Sequence, residues 1–234
     1  MASIRLGIDW ERIVSATISG MPRLLKVVVA VAALGVLAVL FVRSAQSSRE
    51  TPFTVERGSL AGWTLVVRPD ADALGSWLTL SPPVSLASPL GREIFLRAGE
   101  SVNYPSPPLV PLLLHTEFDR AFAGVVMPDD IVSLARSAGL ESAAFTPRCM
   151  GRRRVSEPGA TRGVYFLLFD APAFTRFRQQ LLERLGAAGG NASLFDPPAL
   201  SPVLIVAALD GDFGRWMPLR ADPDVDCLAP VEVQ

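Results

Sequence analysis

Histidine, lysine and cysteine are almost absent from this chain. Its 234 residues include one histidine, two cysteines and, among 22 basic residues, the single lysine Lys26. The three potential histidine and cysteine ligands lie far apart and lack the short spacings of a zinc site. The sequence also contains no P-loop, no GxGxxG turn before a helix and no CxxCH. We therefore expect no bound metal and no cofactor.

Charged side chains of either sign are also few. They make up 19% of the chain, against 50% hydrophobic residues, and the formal net charge is −1. Proteins that bind nucleic acids need an excess of basic residues to neutralise phosphates, so we expect no nucleic-acid partner. The apolar composition predicts that part of the chain contacts lipid or is unusually well buried.

One long segment has no charged or strongly polar side chain at all, from Val27 to Val42. Extended back to Leu24, it would form roughly 28 Å of helix, which is about the thickness of a hydrocarbon core. A buried core helix would show a polar stripe, which is missing here. A cleaved export signal is the other alternative, but about 25 residues precede the segment, more than is typical of such signals. We predict a transmembrane helix over residues 24–43.

This predicted helix carries no residue that could ligate haem or relay protons. Its small residues could instead let a neighbouring helix approach closely. The predicted helix-packing face consists of Ala30, Ala32, Ala33, Gly35 and Ala38.

The arm before it, residues 1–23, has apolar residues at helical intervals, which predicts a short amphipathic helix; a disordered tail is the alternative. Trp10, Ile13 and Val14 would then contact lipid headgroups or a partner subunit. A small excess of basic residues in this arm favours a cytoplasmic N-terminus.

Residues 44–58 are polar and are predicted to be a tether. Residues 59–115 are predicted to be a small β-rich module, because alternating segments such as "GWTLVVRPD" are separated by turn residues. The proline-rich segments "SPPVSLASP" and "NYPSPPLVP" are expected to be extended surface chain.

The order of apolar segments in residues 116–212 is strand, helix, two strands, helix and strand. This βαββαβ order predicts a ferredoxin-like α+β domain. Residues 213–234 are predicted to be an acidic C-terminal tail. Its Asp222, Asp224 and Asp226 resemble the start of a calcium loop, but Cys227 stands where that loop needs glycine.

Two groups of residues in the C-terminal part are candidates for specific roles. Cys149 and Cys227 both follow the apolar segment, which predicts one disulfide in an oxidising compartment; two free cysteines are the alternative. Arg152, Arg153 and Arg154 are predicted to lie in a hairpin loop, where they could bind carboxylates of a partner or lipid phosphates.

These features predict a non-catalytic, single-pass accessory subunit, structural or for assembly, of a larger membrane protein complex, by analogy a respiratory or photosynthetic one. The expected partners are the lipid bilayer and other membrane-protein subunits. The expected location is a bacterial inner membrane, with the C-terminal body periplasmic or extracellular.

Two other functions remain open. A cell-envelope, secretion or pilus scaffold is the first, although residues 44–60 lack the heptads that many such proteins have. A membrane-anchored extracytoplasmic hydrolase is the second. It would have to use His115, but no GxSxG or comparable motif supports a nucleophile.

Overall fold

A computed structural model describes residues 22–70 and 74–234, without the side chains of residues 23–26, 41–50 and 160. The chain divides into two compact units, Met1–Ser48 and Arg49–Gln234. Each is described separately below, and the second unit is called the body.

The first unit contains helix α1, Arg23–Glu50, which extends two residues beyond the unit boundary. Its described side chains, from Val27 to Leu40, are all exposed. Within residues 22–70 and 74–234, no helix combines enough length with enough apolar character to cross a bilayer. The predicted transmembrane helix is therefore wrong.

The body is built from eight strands and three longer helices. The strands are β1 (Phe53–Val55), β2 (Thr64–Val67), β3 (Ser76–Ser81), β4 (Val110–Leu114), β5 (Thr146–Glu157), β6 (Ala160–Asp170), β7 (Val203–Ala208) and β8 (Cys227–Val233). The longer helices of the body are α2 (Val84–Ala98), α3 (Pro128–Ser137) and α4 (Pro172–Ala187). Short helical turns are formed by Arg57–Leu60, His115–Glu117, Phe118–Phe122, Ala192–Leu194, Pro197–Ala199, Phe213–Trp216 and Pro223–Asp226.

These strands form two sheets. The larger is a mixed five-stranded half-barrel in the order β1-β8-β5-β6-β7, in which only the β1–β8 pair is parallel. The smaller is an antiparallel sheet in the order β2-β3-β4. Strand β8 thus lies inside the larger sheet, although its residues belong to the segment predicted to be an acidic tail.

The predicted ferredoxin-like fold is also wrong. Its first strand was expected around "RAFAGVVMP", but Phe118–Phe122 forms a π-helical turn, in which the amide of Ala123 donates to the carbonyl of Phe118 at 2.9 Å. This turn buries Ala121 and Phe122 as a strand would, so the apolar pattern did not distinguish the two. Without that strand, β7 pairs directly with β6.

Helix α4 forms as its sequence predicts. Phe174, Phe177, Leu181 and Leu185 recur at helical spacing and all four are buried. Proline is tolerated at its first position, Pro172, because that residue has no helical partner for an amide hydrogen.

Helix α2 was not predicted, because its first residues belong to "SPPVSLASP", which was expected to be extended surface chain. Leu86, Leu90 and Ile94 recur at intervals of four and are buried on one face. The helix ends where Gly99 adopts the left-handed conformation, with φ 62°, and donates its amide to the carbonyl of Phe95 at 3.0 Å. Pro89 inside the helix masked this pattern, because proline normally marks a helix boundary.

Candidate functional site

Among the described residues of the body, the largest fully buried side chain is that of Arg178, on helix α4. It donates to both carboxylate oxygens of Glu117, at 2.6 and 3.2 Å. It also donates to the carbonyls of Leu112 (3.0 Å), Asp196 (3.0 Å) and Pro197 (2.7 Å). A guanidinium has five N–H donors, so every donor is used. These hydrogen bonds from Arg178 connect helix α4 to strand β4 and to residues 196–197.

His115 lies beside this pair and is only 7% exposed. Its backbone amide donates to the carbonyl of Gly75 at 2.9 Å. Its Nε2 atom has no hydrogen-bond partner among the described residues. Two carboxylates lie close to His115 in the chain: Glu117 binds Arg178, and Asp119 is exposed. Among the described residues, no hydrogen bond joins the His115 imidazole to either carboxylate.

The three consecutive arginines lie in strand β5, not in a loop. Arg153 donates through Nε to Asp226 at 3.1 Å and also to the carbonyl of Arg220 at 2.9 Å. Arg154 forms an ion pair with Glu100. Arg152 is half-buried on the strand. Two of the three predicted contact residues therefore bind groups of the body itself.

Glu100 receives a second hydrogen bond, from the Tyr165 hydroxyl at 2.8 Å. Burial raises the pKa of this carboxyl, but the Tyr165 hydrogen bond and the Arg154 guanidinium together lower it by more. The pKa of Glu100 is therefore below its ordinary value of 4.5. A lowered carboxyl pKa contributes stability above the pKa of the unfolded state, and that contribution is lost as the pH falls through the folded pKa.

We expect that Arg154→Gln raises the pKa of Glu100, because burial then acts with less opposition. Carboxyl-carbon NMR titration of the full-length protein would measure this. Glu157 is the internal control, because its pKa is lowered mainly by the hydrogen bond from Arg215 and not by Arg154. An unchanged Glu100 titration, or an equal shift of both carboxyls, would contradict the assignment.

Cys149 and Cys227 are joined by a disulfide that links the interior strands β5 and β8. Their Cα atoms are 5.7 Å apart. Cys149 is buried and Cys227 is exposed. In the sheet register, Cys227 lies opposite Gly151, and Cys149 lies opposite Pro230.

The other predicted contact residues are not brought into one site. The small residues of the predicted packing face all lie on α1 and are exposed. Successive positions on a helix are about 100° apart, so these five spread around most of its circumference and do not form a single face. Trp10, Ile13 and Val14 lie outside the described residues.

The most distinctive surface feature is an apolar groove between helix α2 and the segment Tyr104–Pro108, called the α2 groove below. Its α2 side is formed by Val84, Ser88, Arg92 and Phe95. These positions recur every three or four residues, on a different face from the buried Leu86, Leu90 and Ile94. Helix α2 therefore packs one apolar face against the core and exposes Val84 and Phe95 on the other side.

Gly91 explains why Tyr104 can lie against α2. A Cβ atom at Gly91 would be 2.4 Å from Cε1 of the Tyr104 ring, so only glycine lets the ring approach. The Tyr104 hydroxyl also donates to the carbonyl of Gly91 at 3.2 Å. These two contacts place the aromatic ring at the edge of the groove.

The α2 groove has a volume of about 540 Å³ and a mainly apolar lining. Phe95 is 52% exposed and Tyr104 is 50% exposed. Large apolar side chains that are half exposed and adjacent usually mark a binding surface. Arg92 is the one cation in the lining, and it has no carboxylate partner among the described residues.

A larger cavity of about 690 Å³ lies at the start of α4. Its Arg148 pairs with Asp170 at 3.7 Å, and its other arginine, Arg176, is exposed. This cavity combines charges of both signs and has no exposed aromatic ring in its lining. The α2 groove is the better candidate for recognition of a partner.

In the part of the chain that the structure describes, no group of three or more His, Cys, Asp or Glu side chains is close enough to hold a metal ion.

The α2 groove was not predicted from the sequence. The signal that could have indicated this groove was a second series at helical spacing, formed by Val84, Ser88 and Phe95, in a segment interpreted as extended.

Comparison with protein-family models, curated proteins and solved structures finds no match to this chain.

Proposed function

We propose that this protein is a non-catalytic accessory subunit of a larger membrane protein complex. Its body contacts other subunits from the oxidising, extracytoplasmic side of a bacterial inner membrane. The main support is exposed apolar surface, on the Val27–Leu40 part of α1 and in the α2 groove. Soluble monomers rarely expose large contiguous apolar patches, whereas subunits of complexes cover such patches with partner subunits.

Two further observations support this proposal. The disulfide between Cys149 and Cys227 fits an oxidising compartment, because disulfides rarely persist in the cytosol. The buried charge of Arg178, the half-buried charge of Arg153 and the exposed charge of Arg154 are all bound by groups of the body. Charges used in this way stabilise a fold and are not available for acid–base chemistry.

Gentle detergent extraction from native membranes, followed by sizing of the tagged full-length protein, would test the proposal. We expect migration with other subunits, at a mass well above the 25.1 kDa of one chain. Leu34→Arg should reduce this association, because it places a charge on the exposed apolar surface of α1. Ser133→Arg adds the same charge at an exposed position of α3 and should have no effect. Migration as a lone monomer would contradict the proposal.

A further inference from the structure

We propose that the α2 groove binds an extended, proline-containing segment of a partner subunit that carries a carboxylate next to its apolar residues. This inference rests on the proposed function and specifies the partner's chemistry. Three properties of the groove support it: the wall has few backbone donors, the rims are aromatic, and the only cation is unpaired.

The first property excludes a partner that binds by adding a strand. Pro105, Pro107 and Pro108 have no amide hydrogen, so the Tyr104–Pro108 wall lacks the donors that strand pairing requires. The opposite wall is helix α2, whose interior amides are already bonded within the helix. A polyproline II segment needs no backbone partner along its length, because its backbone is fully solvated.

The second property favours proline rings as the inserted groups. The half-exposed rings of Phe95 and Tyr104 both line the groove. Aromatic-lined grooves bind proline-rich segments in this way, and the preformed polyproline II helix loses little entropy on binding. The contact with Gly91 holds the Tyr104 ring in place before a ligand arrives, which further reduces the cost of ordering.

The third property is the charge of Arg92. Its neighbour Glu93 forms an i,i+4 ion pair with Arg97, so this carboxylate is already bound. The exposed Arg92 guanidinium is thus free to bind a carboxylate from outside, and such a contact can be bidentate. Charge complementarity therefore predicts an aspartate or glutamate beside the proline residues of the partner.

A random library of 12-residue peptides, selected against the full-length protein in detergent, would test the inference. We expect the enriched peptides to contain proline together with Asp or Glu. The best peptide should bind at least tenfold more weakly to Phe95→Ser and to Arg92→Glu. Replacing its acidic residue with lysine should restore part of the affinity for Arg92→Glu.

Matched control variants test whether peptide binding depends specifically on the α2 groove. Arg136→Glu reverses an equivalent exposed charge on α3 and should leave peptide binding unchanged. Gly91→Ala should weaken binding, because the added Cβ displaces the Tyr104 ring. Thermal unfolding of each variant checks that it remains folded.

Several outcomes would overturn the inference. They are the absence of any enriched peptide, peptides whose binding is insensitive to the groove variants, and a consensus of apolar residues at helical spacing without proline. If these occur while the protein still migrates in a large complex, the peptide inference fails alone. If the protein migrates as a monomer but the groove binds acidic, proline-containing peptides, the accessory-subunit proposal fails instead.

Discussion

Replacing Arg178 with methionine is expected to destabilise the protein by about 3–5 kcal/mol, the usual cost of breaking a buried ion pair. The change leaves the Glu117 carboxylate buried without its cation. It also leaves the carbonyls of Leu112, Asp196 and Pro197 without that donor. Urea unfolding of the full-length protein, followed by circular dichroism, would measure the loss.

Two control variants separate the buried charge from other effects. In the double variant Arg178→Met with Glu117→Leu, no charge is left unpaired, so we expect less destabilisation than in Arg178→Met alone. The double variant should still be less stable than the wild type, because the three carbonyls lose the Arg178 donors and the Leu114 amide loses the Glu117 carboxylate as its acceptor. Arg184→Met, on the same helix, breaks only the exposed pair with Asp130 and should cost less than about 1 kcal/mol.

Arg178→Lys tests the geometry of the guanidinium. Lysine keeps the charge but has three donors on one nitrogen, so it cannot serve the five acceptors around Arg178. We expect a stability between those of the wild type and Arg178→Met. If Arg178→Met and Arg184→Met cost the same, the central role of the buried pair would be refuted.

Removal of the disulfide is expected to have the second largest effect. For the double variant Cys149→Ala with Cys227→Ala, we expect a loss of about 2–4 kcal/mol, because the closed loop is long. The sequence separation of the two cysteines is 78 residues. Urea unfolding of the oxidised wild type, the reduced wild type and the double variant would measure the effect.

Hydrogen exchange would locate the consequence of this change. Strand β8 pairs with β5 on one side and β1 on the other, so loosening β8 also frees β1. We expect faster exchange in these two strands and little change in the smaller β2-β3-β4 sheet. Uniformly faster exchange throughout the body would mean that the disulfide acts only on global stability.

Some elements could be predicted from the sequence because their stability comes from neighbouring residues. The buried face of α4 follows a helical period that no proline interrupts. Strand β7 is a short apolar segment between turn residues, and all six of its residues are buried. Local patterns of this kind do not depend on which distant element packs against them.

The elements that were missed depend on distant contacts or contain misleading residues. Pro89 concealed α2, and the apolar residues near Phe122 fit a π-helical turn as well as a strand. The aspartates before Cys227 suggested a solvated tail, whereas the following residues pair with both β5 and β1. Which distant strands they pair with could not be read from the local sequence.

The candidate site was beyond prediction for the same reason. The α2 groove exists because Tyr104 packs against Gly91. The buried ion pair forms because Arg178 on α4 meets Glu117, which lies far away in the chain. The sequence showed each of these residues but not their proximity. Cys149 and Cys227 were easier to associate, because a pair of cysteines has only one intramolecular partner each.

The parallel pairing of β1 with β8 has a consequence for biosynthesis. Phe53 pairs with Val231, so the first strand of the body leaves the ribosome long before its neighbour in the sheet. Until residues 227–233 emerge, β1 and one edge of β5 lack the strand that lies between them. Assembly of the larger sheet must therefore follow translation of residues 227–233, and until then the open edges of β1 and β5 are available for wrong pairing.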